Sequence, residues 1–328
     1  MSSTSAPSHP IHLDPSELGT KEYWDRYYQN DLDNDDDADD PNTEDDDNDN
    51  NDNGNGNSPP DPSELESWFD DVGAPAKTLA FLTSTTFPLS PNYTGPTNST
   101  TSTSTSTEPQ QQDRGRPAPT VLDLGTGNGS ALFSLRLEGG YTGPMVGVDY
   151  SSQSIELARK LARQYFSSSS SATASVSANI SFHVLDLITD DPTTQSWWPV
   201  SSHGFDLVLD KGTFDAISLS SATVQVPTDP TDPDSTTTER RVCELYPAKV
   251  VNMVKPGGFL LVTSCNWTED EVVAWFTGAA ASATATATGD GVKGRFEVYD
   301  TIKYPVFEFG GQKGQGVASV CFRKVIEQ

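Results

Sequence analysis

A glycine-rich loop carries the clearest chemical signal in the sequence. Residues 121–129 read VLDLGTGNG, a short β-rich run that passes into Gly125, Gly127 and Gly129 and then into a helical pattern. Glycines allow the backbone to turn sharply and to approach a ligand without a side-chain clash. The N-terminus of the next helix offers unpaired N–H groups and a positive dipole end. The loop predicts a ligand site, although a tight turn without a ligand has the same pattern.

Acids at two further strand ends extend this signal. Asp149 ends the next strand, where a carboxylate can accept hydrogen bonds from ribose hydroxyls. NAD enzymes use the same device, so a dehydrogenase and a methyltransferase both remain open. Asp123 inside the motif, a third glycine one residue early for GxGxxG, and Asp186-Leu187 at the expected place of an adenine favour the methyltransferase. The sequence shows no evident set of catalytic residues for hydride transfer, which a dehydrogenase would need.

A third group of polar residues follows the fourth strand, in the segment Asp210-Lys-Gly-Thr-Phe-Asp215. Asp210 would lie at the carboxyl edge of the sheet, where it could orient an incoming amine or accept its proton. Lys211 could pair with Asp210 or Asp215, and a salt-bridged loop without a substrate role has the same pattern. His9, His12, His183 and His203 form no pair at ligand spacing, so we expect no metal site.

Alternating strand and helix patterns must position these residues. They predict an α/β fold with a doubly wound, mostly parallel, seven-stranded Rossmann-like sheet. The last two strands have no clear helix between them, which predicts a hairpin and an antiparallel edge strand. Strands are expected at 121–124, 145–149, 180–185, 205–210, 259–264, 296–301 and 318–322, and helices at 18–28, 76–82, 130–137, 151–166, 239–254 and 269–276.

Long polar segments interrupt the 328-residue chain. Residues 31–52 contain thirteen acids and no Lys, Arg or aromatic residue, which predicts disorder because such a stretch buries little apolar surface. Low-complexity segments at 97–107, 167–171, 226–238 and 278–288 are interpreted in the same way. Without them roughly 200 residues remain, which suits a single domain.

The formal net charge of −27 bears on partners. An acidic surface repels phosphate backbones and attracts basic partners, so no stable nucleic-acid binding is expected and a basic protein or amine substrate fits better. The same acidity could instead provide solubility alone. Three widely spaced cysteines, with no secretory signal pattern and no membrane-length apolar run, predict a cytoplasmic protein without a membrane contact.

The motifs together resemble a known family. The glycine loop, Asp149, Asp186 and residues 255–258 (KPGG) look like the class I, seven-β-strand, S-adenosylmethionine-dependent methyltransferases. A second set narrows the resemblance to the fungal protein-lysine methyltransferases that act on translation elongation factor 1-alpha. This set comprises 18–24 (LGTKEYW), Trp68-Phe69, 210–218 (DKGTFDAIS), 264–267 (SCNW) and 303–311 (KYPVFEFGG).

The resemblance implies S-adenosylmethionine as cofactor and a role for each motif. Asp123 and the three glycines would surround its methionine part, Asp149 its ribose, and Asp186 with Leu187 its adenine. Asp210 and the loop after it would face the substrate lysine, and Trp24 and Trp68 would belong to a cap over the cofactor. The implied division of the chain is 1–30 cap, 31–62 disordered acidic insert, 63–90 cap, 91–118 linker and 119–328 methyltransferase core.

Three rival functions stay open beside this one. The same fold could methylate a small molecule or RNA, although the charge disfavours RNA. The chain could also be an NAD-dependent oxidoreductase, or a non-catalytic acidic protein that binds basic partners.

Overall fold

A seven-stranded sheet forms the centre of the computed structural model, which describes residues 9–38, 65, 67–95, 117–166, 179–228, 235–278, 294–309 and 312–326. The strands are β1 Val121–Leu124, β2 Met145–Asp149, β3 Ile180–Val184, β4 Phe205–Lys211, β5 Thr223–Pro227, β6 Thr237–Arg241, β7 Val254–Ser264, β8 Gly294–Ile302, β9 Val306–Phe309, β10 Gln312–Gln315 and β11 Ala318–Ile326. The α-helices are α1 Lys21–Ala38, α2 Ala74–Leu82, α3 Ser130–Leu137, α4 Ser152–Phe166, α5 Thr213–Ser218, α6 Val242–Met253 and α7 Glu269–Thr277. Short 3-10 helices span Glu17–Gly19, Asp70–Val72, Pro192–Thr194 and Val200–Ser202.

The strand order of the large sheet is β3-β2-β1-β4-β7-β11-β8. Strands β3, β2, β1, β4 and β7 pair in parallel, and β11 runs antiparallel to both β7 and β8. The predicted mostly parallel seven-stranded sheet is therefore confirmed, with its antiparallel strand one place in from the last strand, β8. The order reverses beside β1, so the ligand crevice of such a fold should open at the carboxyl ends of β1 and β4.

Helices cover both faces of the sheet. All residues of β1 and β2 are buried, as expected for parallel strands covered on both sides. Neighbouring residues alternate between the two faces, because side chains of a strand point to opposite sides in turn. Val121 belongs to one apolar cluster, with α3 and α4, whereas Leu122 belongs to the other, with α6 and α7.

The first helix extends into the acidic segment. Helix α1 continues to Ala38, so the prediction of disorder is wrong for residues 31–38. Leu32 explains the difference, since it follows Tyr28 by one helical turn and both side chains are buried. The remainder of the acidic insert, residues 39–62, lies outside the described residues, as do 97–107, 167–171 and 279–288.

Two hairpins were not predicted as such. Strands β5 and β6 pair antiparallel. The two ends of the segment 226–238, for which disorder was expected, therefore belong to β-strands. Thr and Val favour strands, which accounts for the hairpin in this polar segment. Helix α6 consequently begins at Val242 rather than at residue 239. Strands β9 and β10 form the second hairpin between β8 and β11. Within the described part of the chain, every helix is too short or too polar to cross a membrane.

Candidate functional site

A cleft of about 660 Å³ opens at the carboxyl edge of the sheet. This volume lies within the range of small-molecule and cofactor sites, which is roughly 300–1,000 Å³. Its walls come from the N-terminal segment, the ends of β2 and β3, the loop after β4 and the start of the β5 strand. Among the lining residues are Gly125, Asp149, Asp186, Leu187 and Trp68, which are five of the predicted site residues.

The glycine loop is shaped by its own neighbours. Gly125, Gly127 and Gly129 have φ values of 61°, 56° and 86°, in the left-handed region that favours glycine. A Cβ on Gly127 would lie 2.6 Å from the hydroxyl oxygen of Tyr28. Gly129 packs among the rings of Phe133 and Phe182 and is absent from the lining of the cleft. Packing within the chain therefore accounts for Gly129.

Asp149 ties the glycine loop to the second strand. Its Oδ2 accepts a hydrogen bond from the backbone N–H of Gly127 (3.1 Å), and its Oδ1 accepts one from the N–H of Ser151 (2.9 Å). Ser154 Oγ donates to the carbonyl oxygen of Gly127 (2.8 Å), which holds the loop from the other side. Burial raises the pKa of Asp149 above its usual range. A carboxylate can accept about four hydrogen bonds, so each oxygen keeps acceptor capacity toward the cleft.

Asp123 lies beside the cleft rather than in its main volume. It lines a smaller adjoining cavity together with Gly125, Gly127, Trp68 and Lys211. Its Oδ2 accepts a hydrogen bond from the hydroxyl of Thr126 (2.7 Å). Burial raises the pKa of Asp123 to about 6. Its carboxylate thus stabilises the loop and also faces this second cavity.

The predicted adenine-binding pair lies on the turn after β3. Asp186 Oδ1 accepts hydrogen bonds from the backbone N–H groups of Ile188 (2.8 Å) and Thr189 (3.3 Å), which fix that turn. Leu187 is buried in the wall of the cleft. The N–H of Leu185 donates to the carbonyl oxygen of Asp149 (2.9 Å), so this turn lies next to the end of β2. The acids from neighbouring strand ends thus meet at one site.

Asp210 is placed differently from the expectation that it faces a substrate. Its side chain is only 1% exposed, and it is absent from the lining of the cleft. Oδ1 accepts from the N–H groups of Thr213 (3.0 Å) and Phe214 (3.1 Å), and Oδ2 accepts from the hydroxyl of Tyr246 (2.7 Å). Burial raises the pKa of Asp210 to about 7, against the effect of these donors. The carboxylate therefore anchors the start of α5 to α6.

Asp215, at the other end of the same motif, does line the cleft. It accepts hydrogen bonds from Ser264 Oγ (2.5 Å) and from the backbone N–H of Cys265 (2.9 Å) at the end of β7. Burial raises its pKa above the usual range of a carboxyl. The sequence indicates Asp215 individually as a possible partner for Lys211, and the resemblance includes it only as part of the loop after Asp210. Its place in the first turn of a helix beside the crevice is the signal that could have identified it.

Lys211 connects the sheet to the segment that covers the cleft. Its Nζ donates to Ser67 Oγ (2.8 Å) and to the carbonyl oxygen of Trp68 (3.5 Å), rather than to the acids of its own motif. Burial lowers the pKa of Lys211. The rings of Trp24 and Trp68 meet edge to face, with centroids 5.3 Å apart. The two aromatic segments that flank the acidic insert thus contact each other over the cleft.

The expectation that the histidines form no group at ligand spacing is wrong for two of them. His9 and His12 lie together with Glu244 at the start of α6, and their ligand atoms are within 4.8 Å of one another. The sequence could not indicate this cluster, because the two histidines lie in an irregular segment and the carboxylate comes from a distant helix.

Comparison with known proteins gives consistent matches. The model of a family described as a methyltransferase domain matches residues 116–311. The Saccharomyces cerevisiae protein named protein-lysine N-methyltransferase EFM4 is 31% identical over 314 residues, which are 95% of this chain and 96% of that protein. The Schizosaccharomyces pombe protein of the same name is 34% identical over 60% of this chain and 66% of its own length. The human protein named EEF1A lysine methyltransferase 2 is 28% identical over 60% of this chain and 63% of its own length.

Proposed function

This chain belongs to the methyltransferase domain family, and we propose that it is an S-adenosylmethionine-dependent protein-lysine N-methyltransferase whose substrate is translation elongation factor 1-alpha. The observation that carries the proposal is the cleft in which the glycine loop, Asp149 and the turn at Asp186 meet. The similarity to a named protein-lysine methyltransferase over nearly the whole length of both chains supports it. The human relative, named for EEF1A, supports the choice of substrate.

The residues present fit the cofactor. Asp149 retains acceptor capacity for the ribose hydroxyls, as acids at the end of the second strand of such folds do. Leu187 offers an apolar surface to the adenine, while Asp186 holds the turn that carries it. Gly125, Gly127 and Asp123 border the place of the methionine part, and Trp68 covers it. Gly129 does not touch the cofactor in this proposal. Its lack of a side chain leaves room for the rings of Phe133 and Phe182 at the start of α3.

The charge of the cleft suits a cationic amine and a cationic cofactor. Its acidic lining residues are Glu22, Asp149, Asp186 and Asp215, against the two lysines Lys21 and Lys211. Lys21 is paired with Asp25 (2.7 Å), which further reduces the positive charge that faces the cleft. The bound cofactor supplies an activated methyl group, so the protein mainly has to align the amine and exclude water.

The substrate amine must be neutral to react. A lysine has a reference pKa near 10.4, and removal from water in the cleft lowers it. In this proposal Asp215 receives the amine, because its carboxylate lies in the cleft wall and is held by Ser264 and Cys265. Asp210 is a positioning residue: it fixes the first turn of α5, which carries Asp215.

The proposal also keeps the predicted organisation of the chain. Residues 1–30 and 63–90 act as cap segments, 91–118 as a linker and 119–328 as the methyltransferase core. Of the predicted insert 31–62, residues 31–38 continue helix α1 of the cap, so the insert itself is 39–62. Contact between Trp24 and Trp68 supports the joint cap. Because elongation factor 1-alpha is a translation factor, the site of action is the cytoplasm.

Methyl-labelled S-adenosylmethionine and purified elongation factor 1-alpha provide the direct test. We expect the full chain to label a lysine of that protein, located by mass spectrometry after digestion. Asp215→Asn should abolish transfer while cofactor affinity stays within a few-fold of wild type. The exposed Asp270→Asn, outside the cleft, is the matched control and should leave transfer unchanged.

Two results would contradict the proposal. If the intact protein binds S-adenosylmethionine but labels no lysine of elongation factor 1-alpha, the substrate assignment fails. Label confined to RNA or to small molecules of a cell extract would favour another methyltransferase of the same fold. Full transfer by Asp215→Asn would remove only the role given to that carboxylate.

A further inference from the structure

Two histidines of the N-terminal segment and one glutamate of α6 converge on a point that the methyl-transfer site does not use. We propose that His9, His12 and Glu244 bind a divalent zinc-class ion, which fastens residues 9–20 to helix α6. The inference is independent of the proposed methyl transfer, because it rests on a separate cluster of side chains.

The ligand atoms already lie close together. His12 Nε2 is 3.4 Å from Glu244 Oε1, and His9 Nε2 is 3.7 Å from Glu244 Oε2. A tetrahedral ion with bonds of about 2.0–2.1 Å places neighbouring ligand atoms roughly 3.3–3.4 Å apart. The two histidine–glutamate distances are near this value. The histidine nitrogens, within 4.8 Å of each other, would approach by rotation of the imidazole rings.

The hydrogen bonds of the cluster leave metal-binding lone pairs available. His9 Nδ1 is 2.8 Å from the carbonyl oxygen of Pro10, which can only accept, so Nδ1 carries the proton and Nε2 the lone pair. This is the arrangement in which a metal-bound histidine is oriented by its other nitrogen. His12 Nε2 is buried and makes no hydrogen bond within the part of the chain that the structure describes. Glu244 Oε1 accepts from the N–H of Arg241 (3.0 Å), which orients the carboxylate.

Stacking places the two imidazole rings side by side. The ring of His9 stacks on that of His12, with centroids 4.7 Å apart, and on the indole of Trp275, with centroids 4.8 Å apart. Both Nε2 atoms lie near Glu244, and rotation of one ring out of the stack would bring them together on a single ion. Two imidazole nitrogens and one carboxylate oxygen are a ligand set that Zn²⁺ accepts, with its fourth position left to water.

The position of the cluster gives the site a structural consequence. Downstream of His12, the carbonyl oxygen of Leu13 accepts from the guanidinium of Arg241 (2.8 Å), and the N–H of Ser16 donates to the carbonyl oxygen of Leu219 (3.1 Å). The chain then reaches Leu18 and Gly19 in the wall of the cleft. An ion at the cluster would attach this segment at its N-terminal end as well.

Metal titration of the tag-free full chain tests the site. After treatment with a chelator, the protein is titrated with Zn²⁺ against a competing chromophoric ligand. We expect one tight equivalent, and at least a tenfold weaker affinity for His12→Ala and for Glu244→Gln, about the loss known for supporting residues of metal sites. Glu244→Gln keeps an oxygen that can accept the hydrogen bond from the N–H of Arg241, so the cap of α6 is preserved. A loss of affinity in this variant therefore reports the loss of a metal ligand and not the loss of the cap. His203→Asn removes an exposed imidazole at a left-handed residue and should bind as wild type does.

Hydrogen–deuterium exchange provides the second measurement. Zn²⁺ should slow exchange in residues 9–20 of the wild type and of His203→Asn, but not of His12→Ala. The proposal is overturned if the wild type binds no tight equivalent. It is equally overturned if His12→Ala binds as tightly as His203→Asn, because the ion would then be held elsewhere, for example by the acidic residues 31–52.

Discussion

Replacement of Gly127 by alanine tests the contact between the glycine loop and the cap helix. A Cβ at this position would lie 2.6 Å from the hydroxyl oxygen of Tyr28 but 3.5 Å from its Cζ, which is an ordinary contact. The clash thus comes from one oxygen atom. Gly127→Ala should be strongly destabilising, and the additional substitution Tyr28→Phe should relieve most of the clash.

The expected magnitude has two parts. The φ of 56° at Gly127 costs an alanine about 1–2 kcal/mol of left-handed strain. Overpacking against the Tyr28 hydroxyl adds about 1–3 kcal/mol. Gly73 provides a matched control, because its φ is 64° and a Cβ there would meet nothing within 4 Å. Gly73→Ala should therefore show the strain alone.

Urea unfolding of the wild type, the single variants and the double variant measures these differences. We expect Gly127→Ala to lose about 2–5 kcal/mol, the sum of the two parts, and Gly73→Ala about 1–2 kcal/mol. In the double variant, Tyr28→Phe should recover about 1–3 kcal/mol of the loss, which a double-mutant cycle reports as coupling. Equal losses for Gly127→Ala and Gly73→Ala, or a cycle without coupling, would refute the packing of α1 on the loop.

Three further predictions concern the site. Asp149→Asn should weaken binding of S-adenosylmethionine by about 10–150-fold in calorimetry, the loss of one hydrogen bond to a charged group; an unchanged affinity would exclude its ribose role. The pKa of Asp210 is about 7 in the fold against an ordinary value of 3.8, so its protonation stabilises the fold below about pH 4 and this contribution is lost as pH rises toward 7. Urea midpoints of Asp210→Asn should lack that decline, and parallel pH profiles would contradict the shift. Lys211→Met should speed hydrogen exchange at Ser67 and its neighbours, whereas Lys77→Met should not.

The strand-end acids could be predicted from the sequence because of a general geometric property. Parallel strands place their carboxyl ends at one edge, so Asp149 and the residues after β3 had to lie near the glycine loop. The structure confirms this through the hydrogen bonds from Gly127 to Asp149 and from Leu185 to Asp149. Their order and spacing along the chain were sufficient to predict that these residues lie together, since their position does not depend on a side chain from a distant element.

The direction of Asp210 could not be predicted in the same way. It depends on the hydroxyl of Tyr246, which arrives from a helix 36 residues later in the chain. A buried carboxylate takes whichever donors surround it, because an unpaired buried charge is costly. The same limit applies to Glu244 and the two histidines, whose approach depends on where an irregular segment packs.

The contacts on each side of the acidic insert explain how the fold can contain it. Before the insert, Tyr28 and Leu32 bury their side chains against the core, and after it Ser67 is held by Lys211. Each side is therefore attached to the methyltransferase core by its own contacts. The ring of Trp68, from the segment after the insert, also contacts the ring of Trp24, from the segment before it. The free energy of closing a loop grows only with the logarithm of its length, about 0.6 kcal/mol for each doubling. The length of chain between these anchors can therefore vary widely at little cost to the cap, as long as Leu32 and Ser67 keep their contacts.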